Sequence, residues 1–385
     1  MRVVGNTFVM KTILDSPSLG QTPSAFTLAT AYGPVVERAA FPPALAKTRI
    51  EIVTVPKSGY ERAQQNGIGI DFDESLIQRI LSAHYENVKI TTVLSKRDLC
   101  KLVLRKPDLV FSGVKYFDFE DGRLWLNDYL DRFDIPYMAS SKAALDNESD
   151  KGRAKDLMSA ADIPTALYFT TSPGEHPTHA SVPIAFPLFV KPVAGGDSRG
   201  VDEKSIVNDF AAFQAKVQAI HDVHNSRALV ETYLSGKEYS VGIFEDACGG
   251  KLTAMPVEII VEKNENGDRI LDVQTKWDDS ETVVVVSDAN VHAELCRIAK
   301  DSFRALGGKS LGRIDVKMNH DQLPHFMEAN LMPGLREGYF YRACLLNLGL
   351  SYEQMILKIA TNGLAGSSIH RPLETPAARV QSAAT

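Results

Sequence analysis

Gly312-Arg313-Ile314-Asp315-Val316-Lys317-Met318, followed by His325-Phe326-Met327-Glu328-Ala329-Asn330-Leu331-Met332-Pro333-Gly334, decides the reading of this 385-residue chain. Apolar Ile314, Val316 and Met318 alternate with polar Arg313, Asp315 and Lys317, which is the period of a strand, and Asn319-His320-Asp321 supplies a turn before Phe326-Met327. A hairpin follows. Strand side chains repeat every second residue, so Glu328 and Asn330 share a face, and pairing brings Asp315 to the same face. Three oxygen donors then converge beside the cation of Arg313. Such a set suits magnesium, which prefers oxygen ligands and keeps substrate phosphates in its shell. A lone strand carboxylate is more often simply solvated, so the reading depends on what the upstream chain adds.

The chain is long enough for two or three packed units, and its formal net charge of -6 argues against a broadly basic nucleic-acid surface. Cys100, Cys248, Cys296 and Cys344 form no C-x-x-C pair, so reduced thiols are expected rather than a zinc site or disulfide framework. Met1 to Met10 lacks an apolar leader core, and no later run approaches a membrane span. The expectation is a cytoplasmic protein without membrane or nucleic-acid partners.

Strand-like segments at Ile50-Val55, Lys89-Val93 and Leu109-Val114 alternate with helical patterns at Ser75-Tyr85 and Lys96-Arg105, which predicts an α/β layer. A helix over Trp125-Phe133 and a short strand over Asp134-Ala139 complete it, so the first domain closes at about residue 145. Ser149 or Asp150 caps the next helix, placing Lys151 in its first turn, where a cation opposes the helix dipole unless an anion is bound there. Surface indifference is the alternative.

Phe186 to Pro192 reads as an apolar strand delivering Lys191 to a loop, Ala194-Gly195-Gly196-Asp197-Ser198-Arg199-Gly200, whose glycines let backbone N–H groups approach phosphate oxygens. It is not a Walker A sequence. Gly307-Gly308-Lys309-Ser310 is not one either, since position 303 is Phe303, and it reads as a helix terminator. Ser205-His221 reads as a helix. Val230-Glu231-Thr232-Tyr233-Leu234 reads as a strand whose continuation can offer main-chain groups to a base edge while Glu238 accepts from ribose hydroxyls. Lys276-Trp277 precedes a strand at Glu281-Val286, then a helix over Asn290-Leu306; a last helix spans Tyr352-Ala360. The Gly-, Ser-, Pro- and Ala-rich chain after Gly363 lacks a core pattern and is expected to be mobile. The pairs His221/His224 and His176/His179 find no third metal ligand.

Taken in order, Asp150-Lys151, Phe189-Val190-Lys191-Pro192, Val230-Glu231-Thr232-Tyr233-Leu234, Lys237-Glu238, Lys276, Arg313-Ile314-Asp315 and Glu328-Ala329-Asn330 resemble the ATP-grasp superfamily, in its D-alanyl-D-alanine ligase branch. The resemblance runs from about residue 147 to 334. It implies an α/β (α+β) ATP-grasp fold with an N-terminal α/β pre-ATP-grasp domain over 1–145, a central ATP-grasp subdomain over 146–245, a C-terminal subdomain over 246–363 and a mobile tail over 364–385. It also implies that Lys151 and Lys191 bind ATP phosphates with the Gly195-Gly196 loop, that Glu231, Tyr233 and Leu234 sit at the adenine, and that Glu238 holds the ribose. Lys276 would meet the transferring phosphate, Arg313 would stabilise the acylphosphate and tetrahedral species, and Asp315, Glu328 and Asn330 would hold two Mg2+, with Mn2+ as a substitute.

The implied activity is an ATP-dependent carboxylate-amine ligase acting through an acylphosphate on small molecules, amino acids among them, with a homodimer expected. An ATP-binding regulatory or scaffold subunit and an ATP-grasp kinase are the rival readings. The pattern departs from the family in its substrate region: Asp197 replaces the usual serine, Trp277 the usual tyrosine, and Leu335-Arg336-Glu337-Gly338-Tyr339-Phe340 follows Gly334 in place of a serine-rich segment. The family's N-terminal glutamate motif is not found. Asp197, Trp277, Gly334 and Arg336 are therefore the substrate-side candidates, Arg336 as a bidentate clamp for a carboxylate.

Overall fold

In the computed structural model, residues 48–56, 72–193, 200–246, 250–262 and 281–370 are described, the last five as backbone only. The Gly195-Gly196-Asp197 loop and Lys276-Trp277 lie outside them, as do residues 371–385. The first layer is a parallel sheet of β1 (Arg49–Thr54), β2 (Asn87–Thr92) and β3 (Leu109–Ser112), ordered β2-β1-β3. Its helices are α1 (Glu74–Ser82) and α2 (Lys96–Arg105), so the expected alternation of strand and helix is present. Asp73 caps α1 by accepting from the Leu76 N–H, and a Ser95/Asp98 capping box opens α2.

A hairpin of β4 (Tyr116–Phe119) and β5 (Gly122–Trp125) precedes α3 (Leu126–Asp131). The expected strand at 134–139 is reduced to a bridge between Tyr137 and Val110, because Pro136 has no N–H for a ladder. Two short helices, α4 (Lys142–Ser149) and α5 (Lys151–Ala160), then meet at Asp150, whose side chain accepts from the Arg153 N–H at 3.0 Å.

The next layer is a four-stranded sheet of β6 (Tyr168–Thr171), β7 (Leu188–Pro192), β8 (Ile206–Val207) and β9 (Ala228–Thr232), ordered β6-β9-β7-β8. Helix α6 (Phe210–His224) packs on it through Phe213, Val217 and Ile220, which form a separate core with Leu188, Val190 and Val230. The predicted 205–221 helix is thus preceded by a short edge strand.

The largest sheet, ordered β12-β11-β10-β13-β14, holds β10 (Glu238–Glu245), β11 (Leu252–Ile260), β12 (Thr282–Val285), β13 (Leu311–Met318) and β14 (Pro324–Asn330). Helix α7 (Ala289–Ala305) presses Leu295, Ile298 and Phe303 against it, in one core with Ile314, Val316 and Phe326, and Gly307 ends that helix with a φ of 79°. Two helices close the described chain: α8 (Tyr339–Leu348) and α9 (Tyr352–His370). Of the stretch after Gly363 expected to be a mobile tail, α9 carries the chain on to His370, and the remainder lies outside the described residues. A methyl group at Gly363 would lie 2.7 Å from Leu109 Cδ1, so small residues there serve a close approach to the first sheet. Among the described residues no helix is long and apolar enough to cross a membrane.

Candidate functional site

Register builds the site on one face of the largest sheet. Arg313 lies opposite Asn330 and Asp315 opposite Glu328, while Glu238, Ser240 and Gly242 of β10 lie opposite Lys317, Asp315 and Arg313. These pairs share a face because partners across an antiparallel ladder point the same way. After the Asp315/Glu328 pair the register shifts, and Val316 faces Phe326, so Met327 is an extra residue in β14. The bulge ends the regular ladder beside Glu328.

Arg313 grips Asp315 through two hydrogen bonds, Nε to Oδ1 at 3.0 Å and Nη2 to Oδ2 at 2.8 Å, and Ser240 Oγ donates to the same Oδ1 at 2.7 Å. Burial works against the charge of Arg313, yet Asp315 and Glu328 outweigh it and hold the guanidinium firmly protonated. The Tyr339 ring lies 5.5 Å from the guanidinium carbon, and its hydroxyl donates to Glu281 Oε1 at 2.8 Å. Lys317 Nζ donates to Glu238 Oε2 at 3.0 Å, fixing that carboxylate.

Facing this set, Glu231 on β9 is buried between two ammonium groups, Lys155 Nζ at 2.5 Å and Lys191 Nζ at 2.8 Å. Burial raises the carboxyl, but the two lysines dominate and bring it to about 2. Lys191 in turn feels Glu328 and Glu238, and Lys151 feels Glu328, Lys191 and Glu231, with burial pulling Lys151 below the ordinary lysine range. The structure therefore brings together Lys151, Lys191, Glu231, Glu238, Arg313, Asp315 and Glu328, drawn from α5 and two different sheets. Each Glu231 oxygen is paired with one lysine, so the carboxylate anchors both ammonium groups. Tyr233 and Leu234 follow β9, with the Tyr233 N–H on Pro187 O at 3.2 Å and Leu234 buried. Gly334 is half-buried and Arg336 exposed on the segment between β14 and α8.

Lys155, Lys317, Ser240, Glu281, Tyr339 and Glu148 were not singled out from the sequence. Three carried a periodic signal: Lys155 is one helical turn beyond Lys151, Ser240 is two strand positions beyond Glu238, and Lys317 is two beyond Asp315. Glu148 carried none. Its carboxylate accepts from Lys115 Nζ at 2.6 Å and from the Leu331 N–H, so it pins the backbone immediately after Asn330.

Asp315, Glu328 and Asn330 form an all-oxygen donor set, and among the described residues no group of three or more His, Cys, Asp or Glu side chains forms a closed metal cage. The set suits a hard cation that completes its shell with water and phosphate oxygens.

Residues 157–361 match the family model described as D-ala D-ala ligase C-terminus. The chain belongs to this family. It is therefore a ligase-like protein of the ADP-forming carboxylate-amine class, and its mixed helix and sheet architecture is the ATP-grasp fold expected from the sequence. A relative named D-alanine–D-alanine ligase A, from Mesorhizobium japonicum, is 28% identical over 264 residues, covering 67% of this chain and 71% of its own. The structure of D-alanine–D-alanine ligase from Bacillus anthracis superposes with a TM-score of 0.62 at 19% identity, covering 84% of this chain and 100% of that one. The same enzyme complexed with ATP gives 0.61 at 20% identity, with the same coverage. Neither the kinase reading nor the scaffold reading is favoured by these likenesses.

Proposed function

We propose that this chain activates a small-molecule carboxylate with ATP and joins it to an amine, with amino acids as the substrates, and that the site above is where it does so. The observation that carries the reading is that the Lys151 and Lys191 cations both feel Glu328, which lies opposite Asp315 on the ladder that also pairs Arg313 with Asn330. Two anions must meet when a carboxylate attacks a γ-phosphate, so a site for that step needs concentrated, prearranged positive charge. Lys151 and Lys191 would bind the phosphates, with the Gly195-Gly196 loop over them and Lys276 at the transferring group. Tyr233 and Leu234 would line the adenine, and Glu238, steadied by Lys317, would receive ribose hydroxyls.

Asp315, Glu328 and Asn330 would hold Mg2+, two ions on the family pattern, which supplies charge neutralisation between the approaching anions. Arg313 stabilises oxyanion charge on the reacting carbonyl and phosphoryl oxygens, its plane fixed by Asp315 on one edge and Tyr339 on one face. The carboxylate takes the γ-phosphoryl group to form the acylphosphate with release of ADP, and the amine then displaces inorganic phosphate from it to give the amide. Asp197, Trp277, Gly334 and Arg336 would select the substrates. In this reading residues 1–145 are the N-terminal domain, 146–245 the central subdomain and 246–363 the C-terminal subdomain, with α9 carrying the last of these on to His370. The protein works as a cytoplasmic homodimer.

The test is ADP and phosphate release over pooled L- and D-amino acids with Mg2+, followed by mass spectrometry of the product. Amide product with stoichiometric ADP is expected. A stable phosphoester without free phosphate, or nucleotide binding with no turnover on any pair, overturns the ligase reading.

A further inference from the structure

Lys155 is the charged side chain of this site with no surface: its relative exposure is 0%, so it touches neither solvent nor a substrate. A charge so placed is unfavourable unless it is compensated, and an apolar side chain of similar volume fills such a space at no loss of stability in many proteins. What a lysine adds is direction. Its ammonium lies 2.5 Å from Glu231 Oε1, donates to Thr165 Oγ1 at 2.7 Å and sits 5.6 Å from the centre of the Tyr168 ring. Thr165 Oγ1 donates to Phe326 O at 3.1 Å, and the Phe326 N–H donates to Pro164 O at 2.8 Å. Phe326 borders the extra residue Met327, which brings Glu328 opposite Asp315.

We infer that Lys155 is a positioning residue that ties the Glu231–Lys191 pair of the four-stranded sheet to the bulged strand carrying Glu328 on the five-stranded sheet. One arm ends on the phosphate side of the proposed site and the other on its metal side, so this buried ammonium group adds a side-chain tie between the two, beside the backbone bridge of Thr165 to Phe326. Lys151 and Lys155 are one turn apart on α5, and the same helix that presents the first to the nucleotide thereby holds the far wall in register. The role rests on the proposed nucleotide site.

The full-length protein tests it with two cuts. Lys155→Met keeps the stem and removes both arms, whereas Thr165→Val removes only the arm to β14. Calorimetric titration with ADP, with and without Mg2+, should show at least a tenfold loss of Mg2+-ADP affinity in Lys155→Met. Thr165→Val should bind ADP alone within twofold of the parent but require at least threefold more Mg2+ to reach half its full affinity. The double variant should be no weaker than Lys155→Met. Parent-like Mg2+-ADP affinity in Lys155→Met, or an unchanged Mg2+ requirement in Thr165→Val, overturns the inference even if melting temperatures fall. If Lys155→Met does not fold, Thr165→Val decides alone. A parent protein that binds neither ATP nor ADP overturns the nucleotide reading and this role with it.

Discussion

Arg313 and Asp315 set the chemistry at the smallest scale, because each fixes the other's orientation before any ligand arrives. Asp315→Ala and Glu328→Ala each remove one carboxylate from the oxygen set. Each should lower ligase turnover by roughly 100-fold or more, from several kcal/mol of lost charge stabilisation, with little change in circular dichroism. Retained activity in either removes that residue from the site. Glu231 makes a separate prediction in pH. Its carboxyl falls from 4.5 to about 2 in the fold, so the two lysine pairs contribute their full stability above the unfolded value. That contribution is lost as pH falls from about 4.5 toward 2. Glu231→Gln should flatten the acid limb of a melting-temperature profile in that window, and an unchanged limb would show that the pairs carry no linkage.

At the scale of elements, β13 and β14 were legible because their alternation and turn are local, and so were the carboxylates they carry. Helix α8 was not: Leu335 to Phe340 contains no cap signal beyond Gly338, and the helix forms because Phe340, Ala343 and Cys344 are buried against the largest sheet. Gly242 makes room for it, since a methyl group there would lie 3.0 Å from Met255 Cε and 3.2 Å from Ala343 Cβ. Missing α8 meant missing Tyr339 and Glu281, which depend on contacts between segments far apart in sequence. These two brace the face of Arg313. Tyr339→Phe and Glu281→Gln should each lower kcat about tenfold while leaving KM for ATP within twofold, and the double variant should match the singles. Additive losses would mean the two act independently.

Across the whole molecule, the site is a property of how the two sheets are joined, and the joint is short. The chain leaves β9 at Thr232 and enters β10 at Glu238, with Gly236 placing its N–H 2.9 Å from Met318 O. A methyl group at Gly236 would lie 2.6 Å from Met318 Cβ, 2.7 Å from Met318 O and 2.8 Å from Asn319 O, none of them the far end of a flexible side chain. The sequence marks this position only as one glycine in a turn; the close crossing follows from tertiary pairing. The same crossing sets where Glu231 and Lys191 stand relative to Glu238 and Asp315. Gly236→Ala should therefore cost about 1–3 kcal/mol and also weaken nucleotide binding, although the residue reaches no phosphate. Thermal denaturation and ADP titration on the same variant separate the two effects. A lowered melting temperature with parent-like affinity would show that the joint stabilises the fold without setting the distance across the site.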